Sequence, residues 1–131
     1  RSAEIPQGFV VTHAEFLLHT DDPQAIRQRI DEAKRRRSVR QPLGKPNAGS
    51  IFRNPEGQTA GRLIESVGMK GRRIGDAMVS EQHANFIVNM GRATALDVKL
   101  LIDEITDAVW QQKAVRLVPE IKLVGDWEAS G

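Results

Sequence analysis

The chain has 131 residues, 40% of them hydrophobic, a net charge of +2 and no cysteine. That length suits one domain with its own core, and the missing cysteine excludes a disulfide scaffold and a thiolate metal centre. The absence of cysteine suits a cytoplasmic protein; no apolar run approaches the ~20 residues of a membrane-crossing helix, and no signal peptide precedes Glu4.

Residues 9–18 are expected to form a strand, with Val10, Thr12, Ala14, Phe16 and Leu18 on one face. Asp22-Pro23 then opens a helix, Asp22 as N-cap and Pro23 at the first helical position. Ile26, Ile30 and Ala33 make its buried stripe, and the basic run of Lys34, Arg35, Arg36, Arg37 and Arg40 ends it. Residues 38–57 hold Pro42, Pro46, Pro55, Gly44, Gly49 and Gly57 and read as a long structureless loop. Loops of that length in compact domains are usually functional or disordered. Thr59 can cap a short helix bearing Leu63, Ile64 and Val67, with Gly68 just past its end.

Residues 74–79 and 84–89 read as two short strands joined by a turn at 80–83. Thr94 opens the longest helix, and Asp97 completes a capping-box-like pair. Val98, Leu101, Ile102, Ile105, Ala108 and Val109 form its apolar face. Residues 115–124 read as a final strand, with Pro119 marking an edge or a bulge. Trp127 and the few residues after it look like a short tail. The order β-α-loop-α-β-β-α-β predicts an α+β domain, a small and mostly antiparallel sheet packed with helices.

The segment Asn47-Ala48-Gly49-Ser50-Ile51-Phe52-Arg53-Asn54-Pro55 carries the most chemistry. Gly49 lets another backbone or a flat ring come close, and Pro55 ends the segment sharply. Ser50 has no His or Asp nearby in sequence to activate it as a nucleophile. It is either a plain turn residue or a general acid in a dry site. Glu120 is either a solvent-facing strand residue or a carboxyl at the mouth of a cleft. His83 and Asn85 suit hydrogen-bonding turn positions, and His13, His19 and His83 lack metal-ligand spacing, so no metal site is expected.

Lys34 to Arg40 and the Lys70, Arg72, Arg73 group are two basic clusters. They either attract anions or form solvated helix ends. Aromatic residues are only 5% and tyrosine is absent, which leaves little for stacking nucleic-acid bases. Gly68-Met69-Lys70-Gly71 matches the G-x-x-G loop of KH RNA-binding modules. That loop joins two helices, whereas Arg72-Arg73-Ile74-Gly75 looks like the start of a strand. No dinucleotide or P-loop fingerprint is present.

Several further segments come in order: Ala60-Gly61-Arg62-Leu63-Ile64-Glu65, Gly68-Met69-Lys70-Gly71, Val79-Ser80-Glu81-Gln82-His83-Ala84-Asn85-Phe86-Ile87-Val88-Asn89, Gly91-Arg92-Ala93-Thr94 and Pro119-Glu120-Ile121-Lys122-Leu123-Val124-Gly125. Together with the serine segment, they make the chain resemble the C-terminal part of the UDP-N-acetylenolpyruvoylglucosamine reductases, also called UDP-N-acetylmuramate dehydrogenases. The resemblance runs from about residue 9 to residue 125. It implies a cytoplasmic oxidoreductase of peptidoglycan precursor synthesis, which reduces the enolpyruvyl ether of a UDP-sugar to a lactyl ether. In that family NADPH reduces a bound FAD, and the flavin passes hydride to the substrate.

Carried over by motif, Ser50 is the proton donor and Glu120 helps stabilise the enol intermediate. Asn54 contacts substrate, Arg40 lies near the diphosphate, and His83 is a further substrate contact. The family's N-terminal flavin-binding region, with the arginine it contributes, is absent from this sequence. A start at Arg1 instead of Met agrees with a piece of a longer protein or a processed product. Residues 1–18 are then the end of the flavin domain and its exit strand, and residues 19–131 the substrate-binding domain. The expected partners are the UDP-sugar and the missing flavin domain, with no nucleic acid and no membrane. The piece alone is expected neither to hold FAD tightly nor to turn over. The alternative is a freestanding anion-binding module, for a nucleotide-sugar or RNA, without catalysis.

Overall fold

The computed structural model describes residues 8–42, 44–125 and 127. It is built from α1 (Pro23–Arg40), α2 (Ala60–Ser66), β1 (Arg73–Ile74), β2 (Ala77–Val79), β3 (Ile87–Asn89) and α3 (Ala95–Lys113). The three strands form one antiparallel sheet in the order β1-β2-β3. α3 packs on β1 and β2, and α2 packs on α3. The α+β class follows from that layering.

α3 forms where the local signals agree. Thr94 Oγ1 accepts the Asp97 N–H at 3.1 Å, and Asp97 Oδ2 accepts the Thr94 N–H at 2.8 Å. These reciprocal bonds satisfy donors that a helix start leaves free. Leu101, Ile102, Ile105 and Val109 are buried against the sheet, joined in the core by Ile64 from α2, Val79 from β2, and Ile51 and Phe52 from the long loop.

Several sequence expectations give way. Residues 9–18 form no strand and lie exposed. Their alternating pattern describes a face to be buried, but a strand exists only by hydrogen bonding to a neighbour, and none lies beside them among the described residues. α1 starts as expected, with Asp22 Oδ2 accepting the Ala25 N–H at 2.9 Å, and it runs past Ser38 to Arg40, into the start of the expected loop. Its stripe is not buried: Ile26 is 38% and Ile30 47% exposed.

The expected strand at 74–79 is a hairpin, β1 and β2 folding back at Gly75-Asp76. Gly75 has φ +53, and Gly-Asp at a two-residue turn is hairpin chemistry. β3 begins only at Ile87, because residues 84–86 turn to place Asn85. Residues 115–124 give one bridge, Phe52 to Pro119, instead of a strand; Pro119 has no N–H to continue a ladder.

The hairpin turn is pinned by Asp76. Its carboxylate accepts the Arg92 N–H at 2.8 Å and pairs with Arg73. The Arg92 N–H and then the Arg73 guanidinium hold that carboxyl below the usual carboxylate range. A depressed carboxyl contributes stability above its unfolded pKa and loses it as pH falls through the folded one. Asp76→Asn should therefore destabilise the chain at neutral pH, and its deficit should shrink as pH drops below about 4, read from urea midpoints across that range.

Candidate active site

The site is organised by one buried side chain. Asn85 is 4% exposed. Its Oδ1 accepts the Phe52 N–H at 2.9 Å, and its Nδ2 donates to the Phe52 carbonyl at 2.8 Å. The Asn85 carbonyl also accepts the Ile51 N–H at 2.9 Å. A side-chain amide here does what a neighbouring strand would do, satisfying both polar groups of one residue. On the other flank the Glu120 N–H donates to the Ile51 carbonyl at 2.7 Å, and the Arg53 N–H to the Val118 carbonyl at 2.9 Å. Ile51 and Phe52 are both buried and anchor the stretch in the core.

This clamp gives Ser50 and Glu120 a common cleft of about 560 Å³. Ser50 is half-buried and Glu120 exposed. Asn54, Arg62, Glu65, Lys70, Gln82 and His83 also line it. Asn54 Oδ1 accepts the Ala60 N–H at 3.0 Å. Asn54 thus supplies the cap of α2, while Thr59 occupies the N-cap position without a side-chain cap bond. His83 Nδ1 accepts the Asn85 N–H at 3.2 Å, and the ring meets Phe86 edge-on with centroids 5.1 Å apart. In the neutral ring the proton then sits on Nε2. The ring also lies hard against Gly61: a Cβ there would fall 2.9 Å from His83 Cε1. Gln82 Nε2 donates to the carbonyls of Ser38 and Val39, each at 2.8 Å, and so ties the end of α1 to the cleft.

Ser50, Asn54, His83 and Glu120 therefore share one cleft. Arg40 is the last residue of α1, and its side chain lies outside the described part of the structure. The second basic cluster is split. Lys70 lines the cleft and pairs with Glu65 at 2.7 Å, Arg72 pairs with Glu104 at 2.8 Å, and Arg73 pairs with Asp76. Gly68-Met69-Lys70-Gly71 joins α2 to β1, not two helices, so it lacks the setting of a KH loop.

Sequence reasoning did not single out Arg62, Glu65 or Gln82. Their signal was available only as neighbours of recognisable segments. A second hollow, about 610 Å³, runs along α2 between Gln58, Leu63 and Lys113, and no carboxylate lines it. Among the described residues no group of three His, Cys, Asp or Glu side chains could hold a metal ion, and no helix is long and apolar enough to cross a membrane.

The sequence model of the UDP-N-acetylenolpyruvoylglucosamine reductase C-terminal domain matches residues 41–124. The chain belongs to that family. The match takes in the serine segment, Asn85 and Glu120 together. Proteins of the same name are similar to the chain at 51% identity in Thiobacillus denitrificans (85% of this chain, 34% of the relative) and 53% in Moorella thermoacetica (91% and 39%). In Geobacter sulfurreducens the identity is 46%, over 96% of this chain and 42% of the relative. The crystal structure of the Thermus caldophilus UDP-N-acetylenolpyruvylglucosamine reductase matches with a TM-score of 0.55 and 43% identity, over 72% of this chain and 33% of that one. The chain thus spans 34% to 42% of the length of these curated relatives. Family membership favours an enzyme domain over a freestanding anion-binding module.

Asn85→Ala should leave the Phe52 N–H and C=O buried without partners and cost about 2–4 kcal/mol, measured by urea unfolding. Asn85→Asp buries a carboxylate with one oxygen against the Phe52 carbonyl and should cost at least as much as Ala at neutral pH.

Proposed function

We propose that this chain is the substrate-binding part of a flavin- and NADPH-dependent reductase that converts UDP-N-acetylglucosamine enolpyruvate to UDP-N-acetylmuramate in the cytoplasm. Residues 1–18 are then the end of the flavin domain and residues 19–131 the substrate domain. The observation that carries the proposal is the meeting of Ser50 and Glu120 on one cleft, across the Ile51 to Glu120 backbone bond. The relatives' names supply the substrate.

Among the described residues the cleft offers no flavin-holding ring of its own. Phe52 lines the cleft but is 1% exposed, so it offers no ring face for a flavin. The flavin, which supplies hydride when bound, and the NADPH that reduces it are therefore assigned mainly to the remainder of the protein. What this domain supplies is placement and a proton. Hydride addition to the enolpyruvyl group builds negative charge on the enol form of its carboxylate, which needs groups fixed beforehand around it. Glu120 is assigned to that enol. Ser50 Oγ gives its proton to the carbon next to it, a step that requires a site closed to water.

Asn54 and His83 are assigned to the substrate's polar groups. With Asn54 Oδ1 taken by Ala60 and His83 Nδ1 by Asn85, each has its N–H donor left for an anionic oxygen. Arg40, at the end of α1, is assigned to the diphosphate.

Ser50→Ala in the full-length enzyme should leave bleaching of the flavin by NADPH and the affinity for the UDP-sugar unchanged. Product formation should slow by about 10²–10⁴. Stopped-flow absorbance separates the two; equal slowing of both, or no slowing of either, would remove Ser50 from its role.

A further inference from the structure

The Gly68-Met69-Lys70-Gly71 turn ends α2 and fixes the backbone at Lys70. Gly68 and Gly71 have left-handed φ values of +75 and +74, which an L side chain resists. Met69 is buried between them; its N–H donates to the Ile64 carbonyl at 3.2 Å, and its carbonyl accepts the Arg72 N–H at 3.1 Å. The Gly71 N–H donates to the Val79 carbonyl at 3.0 Å. The turn is thereby locked to α2 on one side and β2 on the other. Its product is the placement of Lys70 in the cleft wall, with Nζ 2.7 Å from Glu65 Oε1.

The end of α2 accounts for the backbone here, since the Gly68 N–H donates to the Glu65 carbonyl at 3.0 Å beside the Met69 to Ile64 bond, a left-handed helix terminator; the solvent-accessible Lys70–Glu65 pair adds little stability of its own. Charge use in the cluster sets Lys70 apart. Arg72 and Arg73 are engaged with Glu104 and Asp76, away from the cleft. An ammonium has three donors, and Glu65 takes one.

We propose that Lys70 is a contact for an anionic oxygen of the ligand, and that Glu65 is its positioning residue, holding the ammonium where that oxygen arrives. The inference rests on the nucleotide-sugar reading of the cleft. A diphosphate and an enolpyruvyl carboxylate both present the required chemistry, and the choice of probe separates them.

The test is an NMR-detected titration of the full-length enzyme at low and high salt with three probes: the enolpyruvyl ether of UDP-N-acetylglucosamine, UDP-N-acetylglucosamine itself, and inorganic pyrophosphate. Lys70→Met should weaken binding about ten- to a hundredfold and flatten its salt dependence, while Lys70→Arg restores most of it. Glu65→Gln keeps the side chain's size but weakens its hold on the ammonium, so it should weaken binding several-fold, less than Lys70→Met does. Core amides such as those of Leu101 and Ile105 should not shift in any variant.

Weakening for both UDP-sugars assigns Lys70 to the diphosphate, and weakening for the ether alone assigns it to the carboxylate. If wild type ignores both sugars but binds pyrophosphate through Lys70, the nucleotide-sugar reading falls and the anion contact stands. Equal binding by wild type and Lys70→Met for every probe, or no binding of any, overturns the proposal. Unchanged or tighter binding by Glu65→Gln overturns the role given to Glu65.

Discussion

The cleft depends on the two hydrogen bonds between the Asn85 amide and the backbone of Phe52. They span 33 positions of sequence and stand in for a strand that the chain does not form. Ile51 and Phe52 are apolar and would enter the core in any case. Burial alone would not fix their register, because a strand slipped by one residue exchanges its faces. The amide removes that freedom, since its oxygen accepts from the Phe52 N–H and its nitrogen donates to the Phe52 carbonyl. With Phe52 fixed, Ser50 two positions earlier and Asn54 two positions later are placed. Asn54 then caps α2, which carries Gly61, Arg62 and Glu65 to the same cleft.

The second flank obeys the same logic. Glu120 enters through its own N–H, bonded to the Ile51 carbonyl at 2.7 Å, so its backbone is held while its carboxylate remains exposed. A rigid backbone with accessible polar ends suits a site that must be set before its ligand arrives. His83 shows the same division. One ring nitrogen is committed to the Asn85 N–H, and the ring is held between Gly61 and Phe86.

What could be read from the sequence was local. Asp22 as a cap, the Thr94–Asp97 box and the apolar face of α3 are decided within a few residues, and they stand. The roles of Ser50, Asn54, His83 and Glu120 came from motif resemblance; the local signals around Ser50, His83 and Glu120 marked them as candidates but left a purely structural reading open. The strands at 9–18 and 115–124 failed because alternation reports a face that wants cover, not a partner that supplies hydrogen bonds. The hairpin at Gly75-Asp76 could have been read, since its turn residues are adjacent in the chain. The participation of Gln82 could not. It depends on Ser38 and Val39, 44 and 43 positions away, and no periodicity announces such a meeting.

The joint made by Gln82 has a consequence for tolerated variation. It grips main-chain oxygens of α1, not side chains. Drift at positions 38 and 39 therefore leaves the joint whole so long as the helix persists, whereas one change at 82 unfastens it regardless of what α1 carries. The sequence freedom belongs to the element being held, and the constraint to the residue that holds it.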